Sequence, residues 1–180
     1  MRYRRSRAEG ASFFFTVVTN DRRPFLCEES SVMLLREAFR KVKEKHPFTI
    51  DAFVLLPDHL HCIWTLPSND SDFSTRWRQI KGYFSRRCRG GLKCARTAEQ
   101  TARGEQPVWQ HRFWEHQIRD DRDHIAHVEY IHFNPVKHGL VTAPIHWPHS
   151  TFHQYVERGT YHRDWGATEP VVFDQQVGKE

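Results

Sequence analysis

The sequence predicts an α+β fold: a ferredoxin-like βαββαβ sandwich, its antiparallel sheet carrying helices on one face, with one more helix at the C-terminal end. Three observations predict it. Segments with strand-like and helix-like patterning follow one another as strand, helix, strand, strand, helix, strand, helix. The two middle strands are separated only by Pro57 and Asp58, a tight turn that makes them a hairpin. The 180 residues, 38% of them hydrophobic, contain no internal repeat and suffice for one buried core.

Each element has its own warrant. "SFFFTVVTN" (12–20) is β-branched and aromatic and reads as the first strand, which "DRRPFL" breaks. "ESSVMLLREAFRKVKEKH" (29–46) has apolar residues at 32, 34, 35 and 39 with charges between them, an amphipathic helix with Ser30 or Ser31 as its cap. "FTIDAFVLLP" (48–57) and "HLHCIWTLP" (59–67) are the hairpin strands. "SDFSTRWRQIKGYFSRRCRG" (71–90) is a helix with Phe73, Trp77, Ile80 and Phe84 on one side. Residues 90–107 are polar and aperiodic, a loop; "VWQHRFWEHQIR" (108–119) alternates well enough for one strand or two short ones. "DDRDHIAHVEYIHFN" (120–134) is the last helix, and Pro135 is expected to end or kink it at Asn134. Residues 1–165 then form one domain, and 166–180 a flexible tail with little to pack.

Charge is distributed unevenly. The net charge is +5. Arg2, Arg4, Arg5 and Arg7 open the chain without an acid, and residues 76–103 hold nine basic residues against Glu99 alone. The rest of the chain is acidic. Two basic segments on an acidic body point to a polyanionic partner. Arg76, Arg78, Lys81, Arg86 and Arg87 on the second helix, with Arg2, Arg4 and Arg5, are the candidate phosphate contacts. Trp77, Tyr83 and Trp109 could stack on unpaired bases or simply fill the core. No apolar run approaches the roughly 20 residues that span a bilayer, and no secretory signal is evident, so the expected place is the cytoplasm, at most nucleoid-associated. Cys27, Cys62, Cys88 and Cys94 form no CxxC pair and read as reduced thiols.

The chemistry-bearing residues lie in two short stretches. On a strand, positions i and i+2 share a face, so His59 and His61 point one way and Leu60 and Cys62 the other. Two imidazoles one pleat apart can hold one divalent ion. On the last helix, Tyr130 and Asn134 are four apart and share a face. Asn134 can offer an amide oxygen to a hard cation, and Tyr130 a hydroxyl. A metal held by His59, His61 and Asn134 would polarise a phosphate that Tyr130 attacks. Two nitrogens and an amide oxygen without a thiolate favour Mg²⁺ or Mn²⁺ over zinc. His124 and His127, three apart on the same helix, could mimic a zinc pair, but no further ligands stand at zinc-like spacing.

These stretches resemble a known family. "PDHLHCIWTLP" resembles the His–hydrophobic–His motif of HUH single-strand DNA nucleases, and "EYIHFNPVKHGLV" the catalytic-tyrosine helix of REP-associated tyrosine transposases, relatives of the single-tyrosine insertion-sequence transposases. "RYRRSR", "FFFTVVTNDRRPFL", "VWQHRFWEHQIRDDRD" and "HWPHSTFHQY" extend the resemblance over roughly residues 2–158 in the family's order. The resemblance implies a metal-dependent endonuclease and strand transferase. Such an enzyme acts on single-stranded hairpins of repetitive extragenic palindromes (REPs) through a 5′-phosphotyrosine link. It makes Tyr130 the nucleophile and His59 and His61 metal ligands, with Asn134 where relatives place a third polar ligand. It leaves a monomer or a homodimer open. Two alternatives accompany this reading: a domesticated hairpin binder that no longer cleaves, and a metal-dependent ribonuclease or toxin-like nuclease that uses the His59–His61 pair with water as nucleophile.

Overall fold

The computed structural model describes residues 8–92, 98–102, 107–167, 171–173 and 177–178. Its strands are β1 (Ser12–Val18), β2 (Thr49–Leu55), β3 (His59–Thr65) and β4 (Trp114–Gln117), and its helices α1 (Glu29–Lys45), α2 (Phe73–Arg87), α3 (Ala98–Ala102), α4 (Asp121–Lys137) and α5 (Phe152–Glu157). The strands form one sheet in the order β2-β3-β1-β4, every neighbouring pair antiparallel. This is the predicted α+β arrangement.

The middle strands are apolar nearly throughout because both faces of the sheet are covered. Phe13, Phe15, Val17, Leu60, Cys62 and Trp64 face α1 and α2, where they meet Leu35, Phe39, Trp77, Ile80 and Phe84. Trp64 and Trp77 stack with centroids 4.2 Å apart at 17°. Each such side chain, fully buried, contributes about 1.5–3 kcal/mol. On the opposite face Phe14, Ala52, Val54 and Ile63 pack with Val128, Tyr130 and Ile131 of α4. Helix α4 thus packs on the sheet face opposite α1 and α2, and that face carries His59 and His61.

Local chemistry fixes the helix ends. Asp72 caps α2 by accepting from the Thr75 amide at 2.9 Å, and Asp120 caps α4 by accepting from the Asp123 amide at 2.8 Å. Neither expected serine caps α1, which begins after Glu28 with no side-chain cap bond. Helix α4 runs past Pro135 to Lys137, where the sequence predicts a stop or kink at Asn134. A proline so near the C-terminal end removes a single ladder bond, and the helix ends instead before Gly139, whose φ is +67°. Within 108–119 only 114–117 form a strand; Trp109 makes an isolated bridge to Thr19. The 144–155 segment shields the β2 edge: the Leu55 amide donates to the His149 carbonyl and the Thr151 amide to the Phe53 carbonyl, both at 2.9 Å. Cys27, Cys62 and Cys88 form no disulfide, and Cys94 lies outside the described residues.

Candidate active site

The pleat of β3 turns His59 and His61 towards α4, and both are buried, 1% and 0% exposed. Each ring is held through Nδ1. His59 Nδ1 lies 2.6 Å from Asp58 Oδ1, and Asp58 accepts from Arg22 Nη1 at 3.2 Å as well. Burial works against the Asp58 carboxylate, but the hydrogen bonds and charges of His59 and Arg22 outweigh it and hold its pKa below the ordinary value. A carboxylate can only accept, so His59 Nδ1 is the donor in that bond. His61 Nδ1 lies 2.9 Å from Thr16 Oγ1, its partner across the β1–β3 ladder. Carboxylate and hydroxyl partners behind an imidazole fix the orientation a metal ligand needs.

Helix α4 and its C-cap residue face this pair with one stripe: Tyr130, Asn134 and then His138 at the cap, each a little over one turn from the last. The Tyr130 and His61 rings are 5.4 Å apart, those of His138 and His59 5.1 Å, and those of His59 and His61 4.9 Å. Asn134 lies between the turn that meets His61 and the turn that meets His59. It is 0% exposed, and among the described residues neither Oδ1 nor Nδ2 has a hydrogen-bond partner. A buried amide left unmatched costs about 1–3 kcal/mol. Such a group is expected where something else is meant to bind. Two oriented imidazoles beside an unmatched amide oxygen fit a divalent cation of the Mg²⁺ or Mn²⁺ kind.

Tyr130 is 2% exposed. Its hydroxyl accepts from Lys137 Nζ at 2.9 Å and donates to the Gly178 carbonyl at 3.1 Å. The Lys137 ammonium also stands 4.7 Å from the ring centre. The Phe173 ring meets it at 5.6 Å, nearly perpendicular. Gly178 has φ +70°, and a Cβ there would overlap the Tyr130 ring, so only glycine fits. The sequence leaves 166–180 with little to pack; its described residues Phe173, Val177 and Gly178 nonetheless close over Tyr130.

The predicted phosphate contacts divide. Arg76 corrects the expectation. It is 1% exposed, and its guanidinium donates to the carbonyls of His46, Asp72 and Pro47 and to Asp70 Oδ2. It clamps the start of α2 to the end of α1, buried out of reach of a phosphate. Arg78, Arg86 and Arg87 are exposed on the outer side of α2. Arg87 lies 3.8 Å over the Tyr83 ring, and Lys81 donates to the Gln110 and His111 carbonyls. Trp77 and Trp109 are core residues, while Tyr83 donates to Glu37 at 2.6 Å. Arg2, Arg4 and Arg5 lie outside the described residues.

A second cluster escaped the sequence reading, because its members come from β4 and α4. His116 Nε2 lies 2.8 Å from Asp123 Oδ2 and His127 Nδ1 3.1 Å from Asp123 Oδ1. Burial opposes the Asp123 charge, but hydrogen bonds from Arg119 and His116 hold its carboxyl well below the usual range. Burial lowers the His127 pKa, against the hydrogen bond at Asp123. The three could hold a metal ion; Asp123 Oδ2 also accepts from Arg119 Nε at 3.1 Å, and His127 Nδ1 lies 2.8 Å from the Asp123 carbonyl.

Comparison with known proteins bears on this arrangement. The family described as IS200-like transposase matches residues 9–134. The REP-associated tyrosine transposase of Escherichia coli (strain K12) is 48% identical over 165 residues, 92% of this chain and 90% of that protein. A Haemophilus influenzae protein named as the same kind of transposase is 39% identical over 176 residues, 97% of this chain and 98% of that one. A solved structure of a REP-associated tyrosine transposase bound to a REP hairpin superposes with a TM-score of 0.80 at 44% identity, covering 100% of this chain and 98% of that one.

Proposed function

This chain belongs to the IS200-like transposase family, among its REP-associated tyrosine transposases, and on that footing we propose that it is a metal-dependent endonuclease and strand transferase for single-stranded REP-type hairpins. The observation that carries the reading is the stripe on α4: Tyr130 against His61, and one turn on the buried, unmatched Asn134 amide opposite the two imidazoles.

Tyr130 is the nucleophile. Its oxygen attacks the scissile phosphorus, the downstream fragment stays on the tyrosine through its 5′-phosphate, and the upstream fragment leaves with a free 3′-hydroxyl. His59, His61 and Asn134 would hold Mg²⁺ or Mn²⁺, which when bound polarises the phosphate. Asp58 and Thr16 keep the imidazoles turned to that task. Arg78, Lys81, Arg86 and Arg87, with Arg2, Arg4 and Arg5, position the DNA backbone without reading its sequence. One nucleophile per chain means that moving a segment takes two chains or two rounds. No helix among the described residues is long and apolar enough to cross a membrane, and we place the activity in the bacterial cytoplasm, at most at the nucleoid.

One observation favours the alternative, a hairpin binder without cleavage: the Tyr130 hydroxyl is covered by Gly178. The two separate on a denaturing gel. Hairpin oligonucleotides labelled at the 5′ or the 3′ end are incubated with Mn²⁺ or chelator, with Tyr130→Phe alongside. The proposal expects a covalent protein–DNA band that carries the 3′ label, needs the metal and is absent from the variant. Cleavage without an adduct favours a water nucleophile. Tight binding with neither makes the binder the better account.

A further inference from the structure

Tyrosine chemistry of this kind needs something to steady the charge on the phenolic oxygen while its bond to phosphorus forms and breaks. We infer that Lys137 does this, as a second catalytic residue touching the reacting oxygen; the inference rests on the proposed nucleophile role of Tyr130. Lys137 Nζ is 2.9 Å from Tyr130 Oη and 4.7 Å from its ring centre. An ammonium has only protons to offer, so it donates and the oxygen accepts. Lys137 is itself exposed, and no core packing accounts for its reach to a buried hydroxyl. The Gly178 carbonyl, which accepts the phenolic O–H hydrogen bond, belongs to a distant segment. It must give way before a phosphate can meet Oη. Lys137 need not, because it ends the same helix that carries Tyr130, about two turns on.

In cleavage the Oη–P bond forms and the P–O3′ bond breaks. The phenolic proton passes to solvent, and the departing 3′-oxygen takes one up. In rejoining, an incoming 3′-hydroxyl gives its proton to solvent and bonds to phosphorus. The P–Oη bond then breaks, and the tyrosine oxygen leaves with the electron pair and is reprotonated. In both directions Oη carries more negative charge at the transition state than in the phenol or the phosphotyrosine. A donor already aimed at Oη therefore stabilises the transition state more than either end state. Lys137 keeps its proton throughout.

The test is the single-turnover rate of rejoining, starting from the covalent adduct on a labelled hairpin oligonucleotide with Mn²⁺. It is measured for the wild type, Lys137→Met and Lys137→Arg, each with tyrosine or 3,5-difluorotyrosine at position 130. Fluorination makes the phenol a better leaving group, with less need of a donor. Lys137→Met should slow rejoining by roughly 100-fold or more, Lys137→Arg should keep most of the rate, and fluorination should restore most of the Met variant's loss. Hairpin affinity and melting temperature should stay at wild-type values. A Met defect that fluorination leaves untouched overturns the inference, since the lysine would then act on DNA phosphate or on the fold. So does a Met variant with the wild-type rate. Adduct persisting in Tyr130→Phe is a different failure: it removes the nucleophile itself, without reference to the lysine.

Discussion

At the residue scale, the chain orients His59 with its own neighbour. Asp58 closes the β2–β3 turn and also accepts the His59 Nδ1 proton, so the turn and the ligand are set together. Asp58→Ala should weaken Mn²⁺ binding about 10- to 100-fold, measured as free Mn²⁺ by electron paramagnetic resonance; an unchanged affinity would leave Asp58 a turn residue only. The two kinds of arginine on α2 should separate just as cleanly. Arg76→Met removes the donor to Asp70 Oδ2 and to three carbonyls and should lower stability by about 3–5 kcal/mol in chemical denaturation. Arg86→Ala should leave stability alone, weaken hairpin binding and reduce the salt dependence of that binding by about one charge. Charge clustering in the sequence could not make this distinction. Arg76 sits on the apolar side of the helix, one residue before Trp77, but only the fold brings Pro47 and Asp70 within its reach.

Helix α4 is the element on which the chemistry depends, and it is tied down at both ends. At its start, Asp123 joins His116 of β4 to His127 and Arg119. The Asp123 pKa is depressed in the fold. A depressed carboxyl contributes stability that is complete above its unfolded pKa of about 4 and is lost as pH falls towards the folded value. Asp123→Asn should cost about 1–3 kcal/mol at neutral pH, and its melting temperature should fall less steeply than the wild type's between pH 5 and pH 3. At the far end, Gly178 covers Tyr130. Gly178→Ala places a methyl where the ring already is, so the C-terminal residues should lift away. Tyr130 should then react faster with tetranitromethane, and adduct should form faster, than in the wild type. The i, i+4 pair Tyr130 and Asn134 was legible because both lie on one short stretch of helical pattern. The cover was not, because Gly178 stands 48 residues from Tyr130 and the segment has no periodicity to announce a partner.

At the scale of the whole molecule, the basic segments should make hairpin binding steeply salt-dependent. Removing residues 2–7 should reduce the slope of log affinity against log salt by up to about 0.7–0.9 for each arginine that contacts a phosphate; an unchanged slope would mean that the arm does not touch DNA. The fold itself was legible from the order of patterned segments. The assignment of sheet faces was not, since β1 is apolar on both sides and its pattern does not say which helix lies on which. That double burial has a consequence for how the chain finds its structure. Strand β3 alternates ligand and core: His59 and His61 towards α4, Leu60, Cys62 and Trp64 towards α1 and α2. Were the hairpin to slip by a single residue, both imidazoles would enter the aromatic layer without Asp58 or Thr16 to meet them, and Trp64 would be thrust at α4. Each stranded ring would cost about 1–3 kcal/mol. The ion-binding pair therefore also acts as a proofreading device for assembly, and variants that replace both histidines with leucine should refold to mixed pairings as well as losing cleavage.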